Sequence, residues 1–239
     1  MTTITSQERF KTAKGVFDDF TDRNLFELHS RGIFDELVSP LKVGKESNVF
    51  IALKHQGDKI EKRIVKIYRQ QNCDFNRMFE YIRQDPRYEY LKKHRREIIF
   101  AWTQREYKNL LKAHRAGVRV PKVHKWMFNI LVEEMIGDDE PALPLKDTHP
   151  KNPEIFLTLI IEQMKKLYHG GLIHGDLSAF NILNYNETPV LIDFSQSTVV
   201  KTPNSQELLE RDIKNVLQFF RKLGVKREAE DVLKIVKGD

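Results

Sequence analysis

The chain has 239 residues, 40% hydrophobic and 31% charged, with 40 Lys plus Arg against 34 Asp plus Glu for a net charge of +6. That length allows one domain, or one domain in two lobes, with a core large enough to stand without disulfides. Cys73 is the single cysteine, which excludes a disulfide framework and a cysteine-based structural zinc site. The first residues, MTTITSQERFKTAK, lack the apolar core of a signal peptide, and the strongly apolar stretch 155–161 is far too short to span a membrane. The expectation is a soluble protein of the cytoplasm with no membrane partner. The basic balance permits a polyanionic partner such as nucleic acid without requiring one.

In chain order, residues 1–39 read as helical, with apolar clusters at Phe17, Phe20, Leu25, Phe26 and Leu28, until Ser39-Pro40 breaks the pattern. Val49, Ile51 and Leu53 then alternate with their neighbours, and His55-Gln56-Gly57-Asp58 marks a turn. RIVKIY (63–68) is the second strand, so 47–68 reads as a hairpin. Residues 74–96 are polar and basic, ending in KKHRR. The spacing predicts a helix over 98–117 with Gly117 at its end, then two strands over 120–137 with a turn near Lys125. A proline-rich loop follows over 138–153. Asn152 and Pro153 start the next helix and Gly170-Gly171 end it.

Short strands are expected in LIHGDLSAFNIL (172–183) and TPVLIDFS (188–195). Asn204 with Glu207 reads as a capping box for a helix through Leu223, with Ile213, Val216, Leu217 and Phe220 as its buried stripe. A last helix covers about 226–236. The order implies a two-lobed α+β protein. Its expected parts are an N-terminal helical extension (1–39), a strand-rich N-lobe (40–137) and a reduced helical C-lobe (138–239), hinged near 134–140.

The strongest chemical signal is HGDLSAFN (174–181) followed by IDF (192–194). Phosphoryl transfer needs a group that orients the nucleophile and oxygen ligands for Mg²⁺ on the phosphates. Mg²⁺ takes hard oxygen donors and usually one or two carboxylates. Asp176 suits the first role, Asn181 and Asp193 the second. This is the arrangement of a protein-kinase catalytic loop with its metal-binding aspartate. The bland alternative, a core histidine and two loop acids close by chance, is disfavoured by the three together.

Lys66 lies inside an apolar strand and shares a face with Ile64 and Tyr68. A lysine there is often on the solvent face, but a kinase needs one to hold the α- and β-phosphates and a helix glutamate to orient it. Glu106 is the candidate partner. The glycine-rich loop is reduced to VGKESNVF (43–50). Gly44 permits a tight turn, and Lys45, Ser47 and Asn48 can present charge, a hydroxyl and amide groups to phosphates. Past Asp193 there is no Ala-Pro-Glu motif and little room for a helical peptide-docking region. A platform for a protein substrate is therefore expected to be absent or supplied by a partner.

GKESNVF, HGDLSAFN and IDFSQS together resemble the RIO family of atypical serine/threonine kinases, over about residues 25–223. Ser-Gln after IDF is similar to the first RIO subfamily, and the compact length to archaeal members. The resemblance implies a two-lobed kinase-like fold that binds ATP with Mg²⁺ or Mn²⁺ between its lobes. It implies autophosphorylation on serine, ATPase behaviour in some members with a phospho-aspartate at Asp193, and work on the immature small ribosomal subunit and its rRNA. It places Ser47, Gly44 and Lys45 at the phosphates, and the backbone of Glu134 and Ile136 at adenine. It makes 74–96 a flexible loop. Glu133 departs from the family's apolar gatekeeper, and Asp212 is implied to support the catalytic loop from below. KKHRR, with Arg221, Lys222, Lys226 and Arg227, then becomes a candidate rRNA contact, against the alternative of a solvated surface.

Three alternatives are set against this. The small KEOPS-type kinase of tRNA modification would carry IDFG, where this chain has Phe194-Ser195-Gln196. An aminoglycoside-type kinase usually has a histidine after HGD and a larger helical domain. A non-catalytic kinase-fold scaffold would be expected to lose one of Lys66, Asp176, Asn181 and Asp193, and all four are present.

Overall fold

The computed structural model describes residues 17–70 and 73–238. The expected helical run over 1–16 lies outside the described residues. The described elements make an α+β fold that divides into two compact units. Of the described residues, the first takes those within Met1–Met78, Lys92–Tyr107 and Val123–Met135, the second those within Phe79–Leu91, Lys108–Lys122 and Ile136–Asp239.

In the first unit, α1 (Asp19–Ser30) starts at Asp18, whose side chain accepts from the Thr21 N–H. It is followed by β1 (Glu36–Val43), β2 (Ser47–Gln56) and β3 (Lys59–Tyr68). With β4 (Val123–Met127) and β5 (Ile130–Glu134) these form an antiparallel sheet in the order β1-β2-β3-β5-β4. The period of two in β3 puts Val65 and Ile67 into a core with Leu25, Leu28, Phe34, Phe50 and Val132. Ile64, Lys66 and Tyr68 therefore point the other way.

The hairpin over 47–68 forms as the alternation predicts, turning at Gly57 with φ +61°. Three expectations change. Residues 36–39 belong to β1, and the strand runs through Pro40. An edge strand tolerates the missing N–H, and register shifts flank the proline at Leu37/Ser39 and Pro40/Lys42. The β4–β5 turn falls at Phe128-Asn129, where Phe128 has φ +50°. Asn129 secures it by donating to Thr21 Oγ1 and the Tyr68 carbonyl at 3.1 and 3.0 Å. The stretch 74–96, expected as a loop, carries α2 (Phe75–Ile82), a 3₁₀ turn at Pro86–Tyr88 and the start of α3 (Arg95–Arg115). Phe75, Met78, Phe79 and Ile82 recur at helical spacing, and Met78 and Ile82 are buried.

The second unit is mostly helical. α4 (Pro153–His169) is capped by Asn152, whose side chain accepts from the Ile155 N–H at 3.1 Å. Such a cap contributes about 1 kcal/mol. The buried stripe of α5 (Ser205–Lys222) contains Ile213, Val216, Leu217 and Phe220, and α6 (Ala229–Lys237) packs on both α4 and α5. The capping box expected at Asn204 does not form. Its amide donates to Gln84 at 2.7 Å and makes no cap hydrogen bond. Two small antiparallel ribbons carry the polar loops: β6 (Leu172–Ile173) with β9 (Thr198–Val199), and β7 (Ile182–Tyr185) with β8 (Thr188–Leu191).

Candidate functional site

In the first unit, the turn before β2 is closed by the Gly44 N–H donating to the Ser47 carbonyl at 2.9 Å. A Cβ at residue 44 would lie 2.8 Å from that oxygen, so only glycine fits the turn. Lys45 is exposed and Ser47 half-buried. On β3, Lys66 is 8% exposed, and its Nζ donates to Glu106 Oε1 at 2.8 Å. The Tyr68 hydroxyl donates to Glu106 Oε2, and Lys66 Nζ lies 5.3 Å from the Tyr68 ring centroid. One carboxylate on α3 thus gathers two side chains from the same face of β3. A buried lysine holds its charge at this depth only with such a partner.

In the second unit, the loop from His174 to Asn181 is fixed from several sides. The His174 Nε2–H donates to the Ile192 carbonyl at 3.0 Å, and its ring lies 4.7 Å from that of Phe194. Asn181 Nδ2 donates to the Asp176 backbone carbonyl at 2.8 Å and to Asp176 Oδ2 at 3.3 Å. The Ile192 N–H donates to the Asn181 carbonyl at 3.0 Å, which brings Asp193 alongside. Asp193 has φ +63°, a left-handed conformation rare for a non-glycine residue and typical of functional positions. Ser195 Oγ donates to Asp193 Oδ1 at 2.8 Å.

Beneath this loop, Asp212 on α5 accepts from the Gly175 and Leu177 N–H groups, both at 2.8 Å. These residues flank Asp176. Burial pushes the Asp212 carboxyl up to about 7; the two N–H groups and Arg211 pull it down, and nearby Asp176 adds to the rise. Arg211 and Tyr81 donate to the Gly175 carbonyl. Asn109 on α3 donates to the Phe194 and Ser197 carbonyls at 3.1 and 2.8 Å.

Among the described residues no cluster of three or more His, Cys, Asp or Glu side chains has metal-binding geometry. A phosphate-bound Mg²⁺ does not need one, because it takes one or two carboxylates and fills the remaining positions with phosphate and water. Asn181 and Asp193 fit that requirement. The Asn181 amide nitrogen is committed to Asp176, so its oxygen occupies the opposite side of the group. Both donors are hard oxygens.

A RIO domain family matches residues 48–233, most of the chain. The RIO-type serine/threonine-protein kinase Rio1 of Haloferax volcanii is 38% identical over 97% of this chain and 79% of its own length. Rio1 of Methanocaldococcus jannaschii is 40% identical over the same shares. The chain belongs to the RIO family of atypical serine/threonine kinases. Human RIO1 is 33% identical over 90% of this chain but only 38% of its own length. Among solved structures, the Chaetomium thermophilum Rio2 kinase in an ADP/Mg²⁺-phosphoaspartate complex has a TM-score of 0.66 at 23% identity. That alignment covers 90% of this chain and 66% of Rio2, and it supports the shared fold.

Within this RIO domain, the structure joins Lys66 to Glu106, Gly44 to Ser47, and Asp176 to Asn181 with Asp193 alongside. Glu134 ends β5 opposite Arg63, and Glu133 pairs in register with Ile64. The Ile136 side chain is buried with Leu183 and Val190, and its carbonyl accepts from the Ala142 N–H at 2.8 Å. Tyr68, Asn109, Ser195 and Gln196 were not singled out as site residues by the sequence. For Tyr68 a signal existed, since it stands two residues from Lys66 on one strand face. Asn109 gave none: it is one polar residue in a helix rich in them. Among the described residues no helix is long and apolar enough to cross a membrane.

Proposed function

We propose that this RIO domain transfers the γ-phosphoryl group of Mg-ATP to a serine or threonine hydroxyl, autophosphorylates, and also hydrolyses ATP. The observation that carries the reading is the catalytic-loop cluster, in which Asn181 is bonded to Asp176 and Asp193 is drawn beside Asn181. Lys66, held by Glu106, neutralises the α- and β-phosphates. The tight turn at Gly44, with Lys45 and Ser47, covers the phosphate chain. The backbone of Glu134 and Ile136 offers polar groups to adenine.

Asp176 orients the attacking hydroxyl and receives its proton as the new P–O bond forms and the bond to the ADP oxygen breaks. Asn181 and Asp193 would hold Mg²⁺, which when bound offsets the charge on the transferring phosphates. When water attacks, the product is free phosphate. When the Asp193 carboxylate attacks, it is an acyl-phosphate that water then cleaves.

The family resemblance, the net charge of +6 and the exposed run at 92–96 support an acidic partner, the immature small ribosomal subunit and its rRNA. The test is turnover of Mg-ATP by Asp176→Ala, Asn181→Ala and Asp193→Ala. Each is expected to lose about a hundredfold or more in kcat, in line with removing a group from a phosphoryl-transfer site. Wild-type turnover in Asp193→Ala would refute the assignment.

A further inference from the structure

The short turn after Asp193 carries two polar side chains that the reading above does not use. Phe194–Gln196 form a single 3₁₀ turn. It is clamped at both ends: Asn109 donates to the Phe194 and Ser197 carbonyls, and the Ser197 N–H returns to the Phe194 carbonyl at 3.2 Å. Ser197 Oγ donates to the His174 carbonyl at 2.9 Å, tying the turn to the start of the catalytic loop. From this fixed base, Ser195 Oγ donates to Asp193 Oδ1 at 2.8 Å and Gln196 Nε2 donates to Asp176 Oδ2 at 3.3 Å. Two consecutive side chains thus reach two different carboxylates.

The backbone permits this for a specific reason. Gly175 has φ +78°, and a Cβ there would lie 2.9 Å from the Gln196 carbonyl oxygen. A side chain at 175 would push the turn away from the loop. Its absence lets the Gln196 backbone lie against the residue that precedes Asp176.

We propose that Ser195 and Gln196 are positioning residues for phosphoryl transfer, Ser195 setting the rotation of the Asp193 carboxylate and Gln196 that of Asp176. The inference rests on the phosphotransferase reading above. An aspartate carboxylate turns about two side-chain bonds, and a small error in its direction removes much of the rate that orientation supplies. A hydroxyl donated to Oδ1 of Asp193 makes its two oxygens unequal and fixes which one is presented to a cation, as groups behind metal ligands commonly do. At Asp176, Gln196 and Asn181 donate to the same oxygen, Oδ2, each at 3.3 Å. Both donors are neutral amides, so they hold the carboxylate in place without cancelling its charge. The two residues therefore have separable effects. Ser195 acts on cation affinity through Asp193, and Gln196 acts on turnover through Asp176.

The experiment uses the full chain as wild type, Ser195→Ala, Ser195→Thr and Gln196→Ala. Mn²⁺ affinity in the presence of ADP is read by electron paramagnetic resonance, kcat and KM for ATP by product formation, and folding by thermal unfolding. Ser195→Ala is expected to weaken Mn²⁺ binding about tenfold, and Ser195→Thr to restore it to within about twofold. Gln196→Ala is expected to lower kcat about tenfold at unchanged KM, with Mn²⁺ affinity kept. Wild-type Mn²⁺ affinity in Ser195→Ala, or wild-type kcat in Gln196→Ala, overturns the inference while the phosphotransferase reading stands. So does a loss of affinity and turnover together, in step with a lower unfolding temperature, which marks a structural role. A wild-type chain that neither binds Mn²⁺ with ADP nor consumes ATP overturns the underlying reading and the inference with it.

Discussion

Asp212 couples the stability of the fold to pH. Its carboxyl is about 1% exposed and is pushed from the ordinary 3.8 to about 7, because burial penalises the charge more than its two N–H partners stabilise it. Folding therefore favours the protonated form. This contribution is fully present below the unfolded value of 3.8 and is lost as pH rises through about 7. At about 1.4 kcal/mol per tenfold change in proton affinity, the total is roughly 4 kcal/mol, with roughly 3 kcal/mol of it between pH 5 and 8. Asp212→Asn cannot ionise. It keeps one acceptor oxygen but turns an amide N–H₂ toward the other backbone N–H, which costs about 1–3 kcal/mol at any pH.

Urea unfolding of wild type and Asp212→Asn across pH 5 to 8 reads the difference directly. Wild type should be the more stable at pH 5, and the gap should close or reverse by pH 8, moving by roughly 3 kcal/mol. A gap that stays constant over that range would show that Asp212 is ionised throughout, and would refute burial as the dominant force on it.

Two further outcomes follow from other parts of the site. Lys66→Ala should lower kcat/KM for ATP at least tenfold and, by taking the cation away from the buried Glu106 carboxylate, destabilise the fold by about 3–5 kcal/mol. Lys62→Ala on the same strand should weaken ATP use less than Lys66→Ala does; equal effects on ATP use would remove Lys66 from the site. Lys92→Glu with Lys93→Glu leaves Arg95 over the Phe75 ring and Arg96 over the Phe20 ring. Binding to a small-subunit rRNA fragment should weaken and its salt slope should flatten by about 1.4 to 1.8; unchanged binding returns the cluster to a solvated surface.

The sequence was most informative where a single spacing dictates both local structure and chemistry. The alternation in β3 places Lys66 opposite the face that holds Val65 and Ile67, and one helical glutamate then suffices as its partner. The five-residue step from Asp176 to Asn181 is also readable, because that loop closes on itself. Other features depend on neighbours that no local pattern reveals. Pro40 reads as a break until β1 is known to be an edge strand. Phe75, Met78, Phe79 and Ile82 were hidden by the basic residues around them. Asn204 has the right residue type and spacing for a cap, but Gln84, distant in sequence, takes its amide. Asn109 reaches the turn after Asp193 from a helix whose sequence gives no hint of it.

The most direct test of the account follows the labelled γ-phosphate of ATP with Mg²⁺, with and without immature small ribosomal subunits. Free phosphate, acid-stable phosphoserine and hydroxylamine-sensitive acyl-phosphate are read separately, in wild type and in Asp193→Ala. Label leaving ATP into one or more of these pools in wild type, and in none with Asp193→Ala, is the result the catalytic-loop cluster predicts. Label that stays on ATP in the wild-type chain, with and without subunits, would contradict it.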